Sequence, residues 1–188
     1  MILPIIAYGD SILKKKCKTI SNDYPKLKEL IENMHDTMYT ASGIGLAAPQ
    51  IGASIRLFIV DTVQLENDEN EGLKGIQKVF INPEILEETG EKWKYEEGCL
   101  SIPGVRGDVY RQPDLKIKYQ DENFEWQEGT FDDINARVIQ HEFDHIECVL
   151  FTDKIDPLKK KLVRNKLKKI MKGDVQVDYR MKFPQRKN

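Results

Sequence analysis

Three histidines occur in the 188 residues, and two of them stand in the run His141-Glu142-Phe143-Asp144-His145. A four-residue step on a helix puts both imidazoles on one face, one turn apart, where their nitrogens can converge on a single metal ion. Glu142 then lies beside the metal without being needed as a ligand, in the position of a proton-transfer group. Two imidazoles fall short of the usual three protein ligands, so the chemistry turns on a third donor. The metzincin spacing asks for a glycine three residues and a histidine six residues past His145, where this chain has Cys148 and Phe151, and no glutamate follows Glu147. Upstream, Glu97-Gly98-Cys99-Leu100-Ser101 offers a thiol next to a glycine that lets the backbone turn and expose it. Cys99, His141 and His145 together make a three-ligand site with an open position for water. Taken singly, a free cysteine is more often a small packing residue, and Cys17 and Cys148 keep that reading. His35, alone in an amphipathic segment, reads as structural.

A second constellation is Gly43-Ile44-Gly45-Leu46-Ala47-Ala48-Pro49-Gln50. Two glycines and a proline in eight residues demand an irregular loop with close backbone approach. Gln50 can present a carboxamide N–H to an oxyanion there, although by itself the loop is equally a turn that ends a helix.

The elements that must position these groups follow from periodicity. Leu27, Leu30, Ile31, Met34 and Met38 recur at helical steps and predict a helix from Asp23 to about Ala41, behind the candidate caps Ser21, Asn22 and Asp23. Strands are predicted at Arg56–Val60, Val79–Asn82, Ile85–Leu86, Val105–Tyr110, Leu115–Tyr119 and Phe124–Trp126, so the middle third reads as mostly antiparallel sheet. A second helix follows Asp132 and Asp133 and carries Ile134, Val138, His141, Glu142, His145 and Val149 along one side. A third starts near Asp156-Pro157, has Leu158, Leu162, Leu167 and Ile170 as its apolar stripe, and ends at Gly173. The expected architecture is α+β: antiparallel sheets packed around a central metal-binding helix, with an N-terminal helix and an amphipathic C-terminal helix. Residues 1–173 form one catalytic domain in this reading, and residues 174–188 a short polar tail.

All three motifs in this order, GIGLAAPQ at 43–50, EGCLS at 97–101 and QHEFDH at 140–145, resemble the peptide deformylase family. The resemblance implies a hydrolase that removes the N-formyl group from the initiator methionine of nascent polypeptides and releases formate. It implies one divalent metal ion per chain, typically Fe2+ with Ni2+, Co2+ or Zn2+ as substitutes, on Cys99, His141 and His145. Ligand softness and geometry alone suggest zinc. A divalent metal lowers the pKa of its bound water toward neutrality, and the resulting hydroxide attacks the formyl carbonyl with Glu142 as general acid/base. By the resemblance, the Gln50 side chain and the Leu100 backbone N–H stabilise the developing oxyanion. Gly43, Ile44, Gly45, Tyr95, Glu97, Arg106, Ile134 and Val138 match substrate-binding positions, with Gly45 on the edge that takes an extended peptide. Glu97 also matches one half of a buried pair with Arg111. Two departures stand out: an acidic insertion around Gln64–Gly75, and Arg137 at a position often apolar near the pocket.

Composition narrows the alternatives. The chain has 29 basic and 31 acidic residues and a formal charge of -2, which excludes a uniformly basic nucleic-acid clamp. The segment from Leu158 to Lys172 nevertheless holds Lys159, Lys160, Lys161, Arg164, Lys166, Lys168, Lys169 and Lys172 and no acid. If it carries +8, the rest carries -2 - 8 = -10. This helix is a candidate contact with ribosomal RNA, or simply a solvated face. No apolar run approaches a bilayer span and Met1–Ala7 is too short for a secretory signal, so the expected compartment is the cytoplasm, with no membrane partner. A metallopeptidase of another lineage and a non-catalytic metal- or RNA-binding module remain the competing readings.

Overall fold

The run Leu57-Phe58-Ile59-Val60 is continuously apolar because the strand it forms is covered on both faces. Phe58 and Val60 point into one core cluster, with Phe80, Ile117, Ala136 and Ile139. Leu57 and Ile59 point into another on the opposite face, with Ile31, Met34, Met38 and Ile81. This period-two division places a helix on each side of the sheet. A computed structural model describes residues 1–66 and 72–184. The centre of the acidic insertion, 67–71, and the last four residues lie outside the described residues.

In chain order the elements are β1 (Ile5–Ile6), α1 (Leu27–Thr40), β2 (Gly45–Ala47), β3 (Leu57–Asp61), β4 (Gln77–Thr89), β5 (Trp93–Gly98), β6 (Arg106–Arg111), β7 (Asp114–Gln120), β8 (Trp126–Phe131), α2 (Asp133–Ile146), the single turn α3 (Phe151–Lys154), α4 (Pro157–Lys172) and β9 (Met181–Lys182). An antiparallel sheet runs β2-β3-β4-β7-β8, β5 and β6 form a separate antiparallel hairpin, and β9 pairs parallel with β1. The fold is α+β. The metal-motif helix α2 lies between the large sheet and the hairpin: Ala136 and Ile139 pack on the sheet, while Arg137 donates to the carbonyls of Val109 and Trp93 at 3.0 and 2.9 Å.

Several boundaries differ from the sequence reading, each for a physical reason. Helix α1 begins at Leu27 instead of Asp23, because residues 21–24 close a turn (Tyr24 N–H to Ser21 carbonyl, 3.0 Å) and Lys26 is left-handed (φ 57°). The strands expected at 79–82 and 85–86 are one strand, β4. Asn82, left-handed at φ 50°, and Pro83, which has no N–H, sit in a register shift between Ile81 and Glu84 that lets pairing with β7 resume. Strand β5 had no sequence signal, since Lys94, Tyr95 and Glu96 on it are exposed. The last strand of the sheet starts at Trp126, after a turn in which Asp121 accepts from Asn123 and Glu125 N–H groups.

On α4, Asp156 caps the Leu158 N–H at 2.8 Å, and Gly173 ends the helix at φ 75°. Its buried face keeps Leu167 and Ile170 of the expected stripe but adds Val163 in place of Leu158 and Leu162, which are 67% and 71% exposed. Residues 163, 167 and 170 share one helical face, whereas 158 and 162 lie a residue's rotation away from it. Leu167→Ala should therefore cost about 2–5 kcal/mol in urea unfolding, and Leu162→Ala should stay within about 0.5 kcal/mol of wild type. Equal costs would put both leucines in the core.

Candidate metal centre and active-site cleft

The first turns of α2 contribute Val138, and the last two contribute His141, Glu142 and His145. The helix axis brings the histidine rings to a centroid distance of 5.1 Å. Past the end of β5 the chain turns at Cys99, whose Sγ lies 3.3 Å from His145 Nε2. One donor atom from each of Cys99, His141 and His145 falls within 4.8 Å of the other two. A thiol and two imidazoles at that spacing suit zinc or ferrous iron. His145 Nδ1 is buried without a hydrogen-bond partner among the described residues. His141 is held from behind, with Nδ1 2.9 Å from Glu97 Oε2, which leaves its other ring nitrogen to the cluster.

Glu97 is itself saturated. Arg111 Nε and Nη2 donate to its two oxygens at 2.7 and 2.9 Å, and Arg137 Nη1 donates at 3.0 Å. Burial alone would raise the Glu97 carboxyl, but the hydrogen bonds from Arg111 and His141 outweigh it and hold the group well below the carboxylate range. Arg111 extends the network to Asp144 at 2.7 Å, and Lys154 reaches Asp144 from outside. Glu97 is among the residues lining the cleft, and its buried side chain, with both oxygens engaged, forms the expected pair with Arg111 and holds His141. Arg137 lies near the pocket as expected and lines the cleft, while its guanidinium stacks 4.5 Å from the Trp93 ring centroid and ties α2 to the hairpin.

Glu142 is 4% exposed, and its Oε2 has no partner among the described residues. Burial pushes its carboxyl up to about 7, with His141 pulling the other way. Gly45, on β2, faces it so closely that a Cβ there would lie 2.6 Å from Glu142 Oε1. A side chain at 45 would therefore have to displace Glu142. Burial would lower the two imidazoles, and it does carry His145 well below its usual value, whereas hydrogen bonds to Cys99 and Glu97 raise His141 to about 10.

Gln50 is clamped. Its Oε1 accepts from the Ala47 N–H at 2.8 Å, and its Nε2 is 3.4 Å from Cys99 Sγ and 3.3 Å from Ser101 Oγ. The loop 43–50 is therefore ordered: Gly45–Ala47 pairs with β3, and Ala48–Ile51 makes a 3-10 turn. Leu100 lies over Gly43, where an added Cβ would meet its Cδ1 at 2.8 Å.

These groups open on a cleft of about 680 Å³. Gly43, Ile44, Gly45, Tyr95, Arg106 and Val138 line it, as expected. Ile134 does not; it packs with Ile44 and Phe143 against the sheet cluster, one further turn along α2 from the opening. The sequence reading missed Ser101, Asp144 and Tyr179. Asp144 lies inside the histidine motif, but its partner Arg111 is 33 residues away, and nothing in the polar run around Tyr179 marks it. Cys17 is buried, and burial pushes its thiol up to about 11, as befits a packing residue.

The polypeptide deformylase family model matches residues 2–161. The chain belongs to the peptide deformylase family. It is 58% identical over 193 aligned positions to the peptide deformylase of Christiangramia forsetii, covering 100% of this chain and 98% of that protein. It is 54% identical over 189 positions to that of Flavobacterium johnsoniae, covering 97% and 96%. Among solved structures, the Legionella pneumophila peptide deformylase superposes with a TM-score of 0.80 at 39% identity over 93% of this chain and 98% of that one. The Plasmodium falciparum enzyme gives a TM-score of 0.80 at 37% identity over 90% and 95%. Membership in this family makes the chain an enzyme and assigns it the removal of N-formyl groups from nascent peptides.

Gly45→Ala tests the steric pairing within the site. It should lower formate release from a formylated peptide by about tenfold or more through displacement of Glu142, with unchanged far-ultraviolet circular dichroism. Wild-type turnover would mean that Glu142 need not stay where Gly45 lets it lie.

Proposed function

We propose that this deformylase acts on the initiator formylmethionine of nascent chains in the cytoplasm, with one divalent metal ion on Cys99, His141 and His145 and Glu142 as its general acid/base. The observation that carries this reading is the convergence of those three donors beside a buried carboxylate with an unpartnered oxygen. A divalent cation bound there supplies Lewis acidity that draws the pKa of a water molecule toward neutrality. Fe2+ is the proposed occupant, on the family resemblance, with Ni2+, Co2+ and Zn2+ as substitutes.

The remaining work falls to the chain. Glu142 takes the proton of the attacking water and returns it to the departing amine. Gln50, with its orientation set by Ala47, offers Nε2 to the developing oxyanion, and the Leu100 N–H is the second donor. Glu97 keeps His141 in one tautomer and orientation. Ile44, Tyr95 and Val138 receive the methionine side chain, and Arg106, bonded to Glu96 at 2.8 Å, stands at the rim. Strand β2 ends its sheet with one neighbour, so the backbone at Gly45 has a free edge for an extended peptide. Residues 1–173 supply every group in this sequence of events as one catalytic unit.

Glu142→Ala prepared without oxygen should retain its metal and lose formyl-Met-Ala-Ser turnover by about 100-fold or more. Metal analysis beside a formate assay checks both, and normal turnover with metal in place would reject Glu142 as the proton carrier.

The basic helix is the proposed ribosome contact. Helix α4 turns Val163, Leu167 and Ile170 inward and leaves its lysines, with Leu158 and Leu162, exposed. Among the described residues, no helix is long and apolar enough to cross a membrane. Neutralising Lys159, Lys160 and Lys161 should weaken co-sedimentation with ribosomes and flatten its salt dependence by about three charges. Salt-insensitive binding by the wild type would remove the electrostatic contact.

A further inference from the structure

The family match stops at residue 161, yet the chain past α4 returns to the active site. Gly173 reverses the chain at φ 75°, with its own N–H on the Ile170 carbonyl and that of Asp174 on the Lys169 carbonyl. Val175, Met181 and Phe183 then pack against the cluster of Ile102, Val105 and Phe151, on which Cys99 also packs. Strand β9 adds main-chain bonds to β1: Ile5 N–H to the Arg180 carbonyl at 2.8 Å and Ala7 N–H to the Lys182 carbonyl at 2.9 Å. Between these two anchors, Gln176, Val177, Asp178 and Tyr179 line the cleft. The Tyr179 hydroxyl donates to the Leu100 carbonyl at 2.8 Å, and burial pushes the phenol up to about 12, so it keeps its proton. The next peptide unit is held too, because the Ser101 carbonyl accepts the Tyr8 N–H at 2.8 Å.

We propose that Gln176–Tyr179 is a specificity wall that contacts the peptide beyond its formylmethionine, with Tyr179 as the positioning residue that fixes this wall and the Leu100 peptide to one another. The argument rests on the deformylase reading and extends it. The cleft, at about 680 Å³, has room well beyond one methionine side chain, and the residues proposed above to receive that side chain, Ile44, Tyr95 and Val138, belong to other elements. The post-helical segment lines the same cleft, which leaves it to meet later residues of an extended substrate. Its two ends are tied by packing and by β-pairing, so the wall is set before substrate arrives and its order adds no entropic cost on binding.

The test compares formate release from formyl-methioninamide and from formyl-Met-Ala-Ser-Ala-amide by the metal-loaded wild type, a V177A/D178A double variant and Tyr179→Phe. The double variant should raise KM for the longer substrate by roughly fivefold and leave the shorter within about twofold. Tyr179→Phe should lower kcat on both substrates by about 3- to 10-fold, the effect of one lost hydrogen bond on the Leu100 peptide, with KM for the shorter unchanged. Equal losses on both substrates in the double variant, or none on either, would overturn the wall, and an unchanged kcat in Tyr179→Phe would overturn its positioning role. A wild type that releases formate from neither substrate overturns the deformylase reading instead.

Discussion

The buried carboxylate of Glu97 is the joint on which the site depends. It receives Arg111 from the neighbouring strand, Arg137 from the central helix and the Nδ1 side of His141. Removing charges from water is expensive, and this group repays the cost through geometry: two hydrogen bonds from one guanidinium, one from a second, and a short contact with an imidazole. The two buried arginines are matched by two carboxylates, since Asp144 takes the remaining arm of Arg111. The same set of bonds therefore joins the hairpin to α2 and points His141 at Cys99, so fold stability and ligand geometry share one cause.

Around that joint the layers divide the labour. Helix α2 is buried on one side against the sheet through Ala136 and Ile139, and on the other it meets the hairpin through Arg137 and the connection after it through Gln140, which donates to the Gln112 carbonyl. A helix fixed on both sides can hold two imidazoles and a carboxylate with little freedom, which is what a preorganised site requires. The glycine loop completes the arrangement from the sheet side. Gly45 leaves room for Glu142, and Gln50 is turned by Ala47 so that its N–H groups face Cys99 and Ser101. Tight packing thus sets the residue types at positions that take no part in bond making.

What could be read from the sequence was what depends on local spacing. The four-residue interval of His141 and His145 needs only a helix to become a shared face, and the helix is marked by its own periodicity. The Gly43–Gln50 loop and the Cys99 turn announce themselves through glycine and proline, and the order of the three motifs was enough to indicate the family. Charge on α4 was equally plain, because eight basic residues in one helix need no partner to be recognised.

The tertiary structure decided everything that rests on residues far apart in the chain. Whether Ile134 or Val138 reaches the cleft depends on how α2 is rotated against the sheet: Val138 is buried and lines the cleft, whereas Ile134, one turn earlier and only partly buried, packs on the sheet cluster instead. Arg137 reads in the sequence as a charge near a pocket, and only folding shows that the same side chain is tied to Trp93, Val109 and Glu97. Leu162 looks like core until Val163 is seen to take the buried face. The polar run after Gly173 has no periodicity to betray a role, and only pairing with Ile5–Ile6 brings Tyr179 to the Leu100 carbonyl. Sequence determined which chemistry the chain carries, because ligand types and their helical spacing are local. Packing determined which side chains serve it, because burial and hydrogen-bond partners are properties of the folded chain.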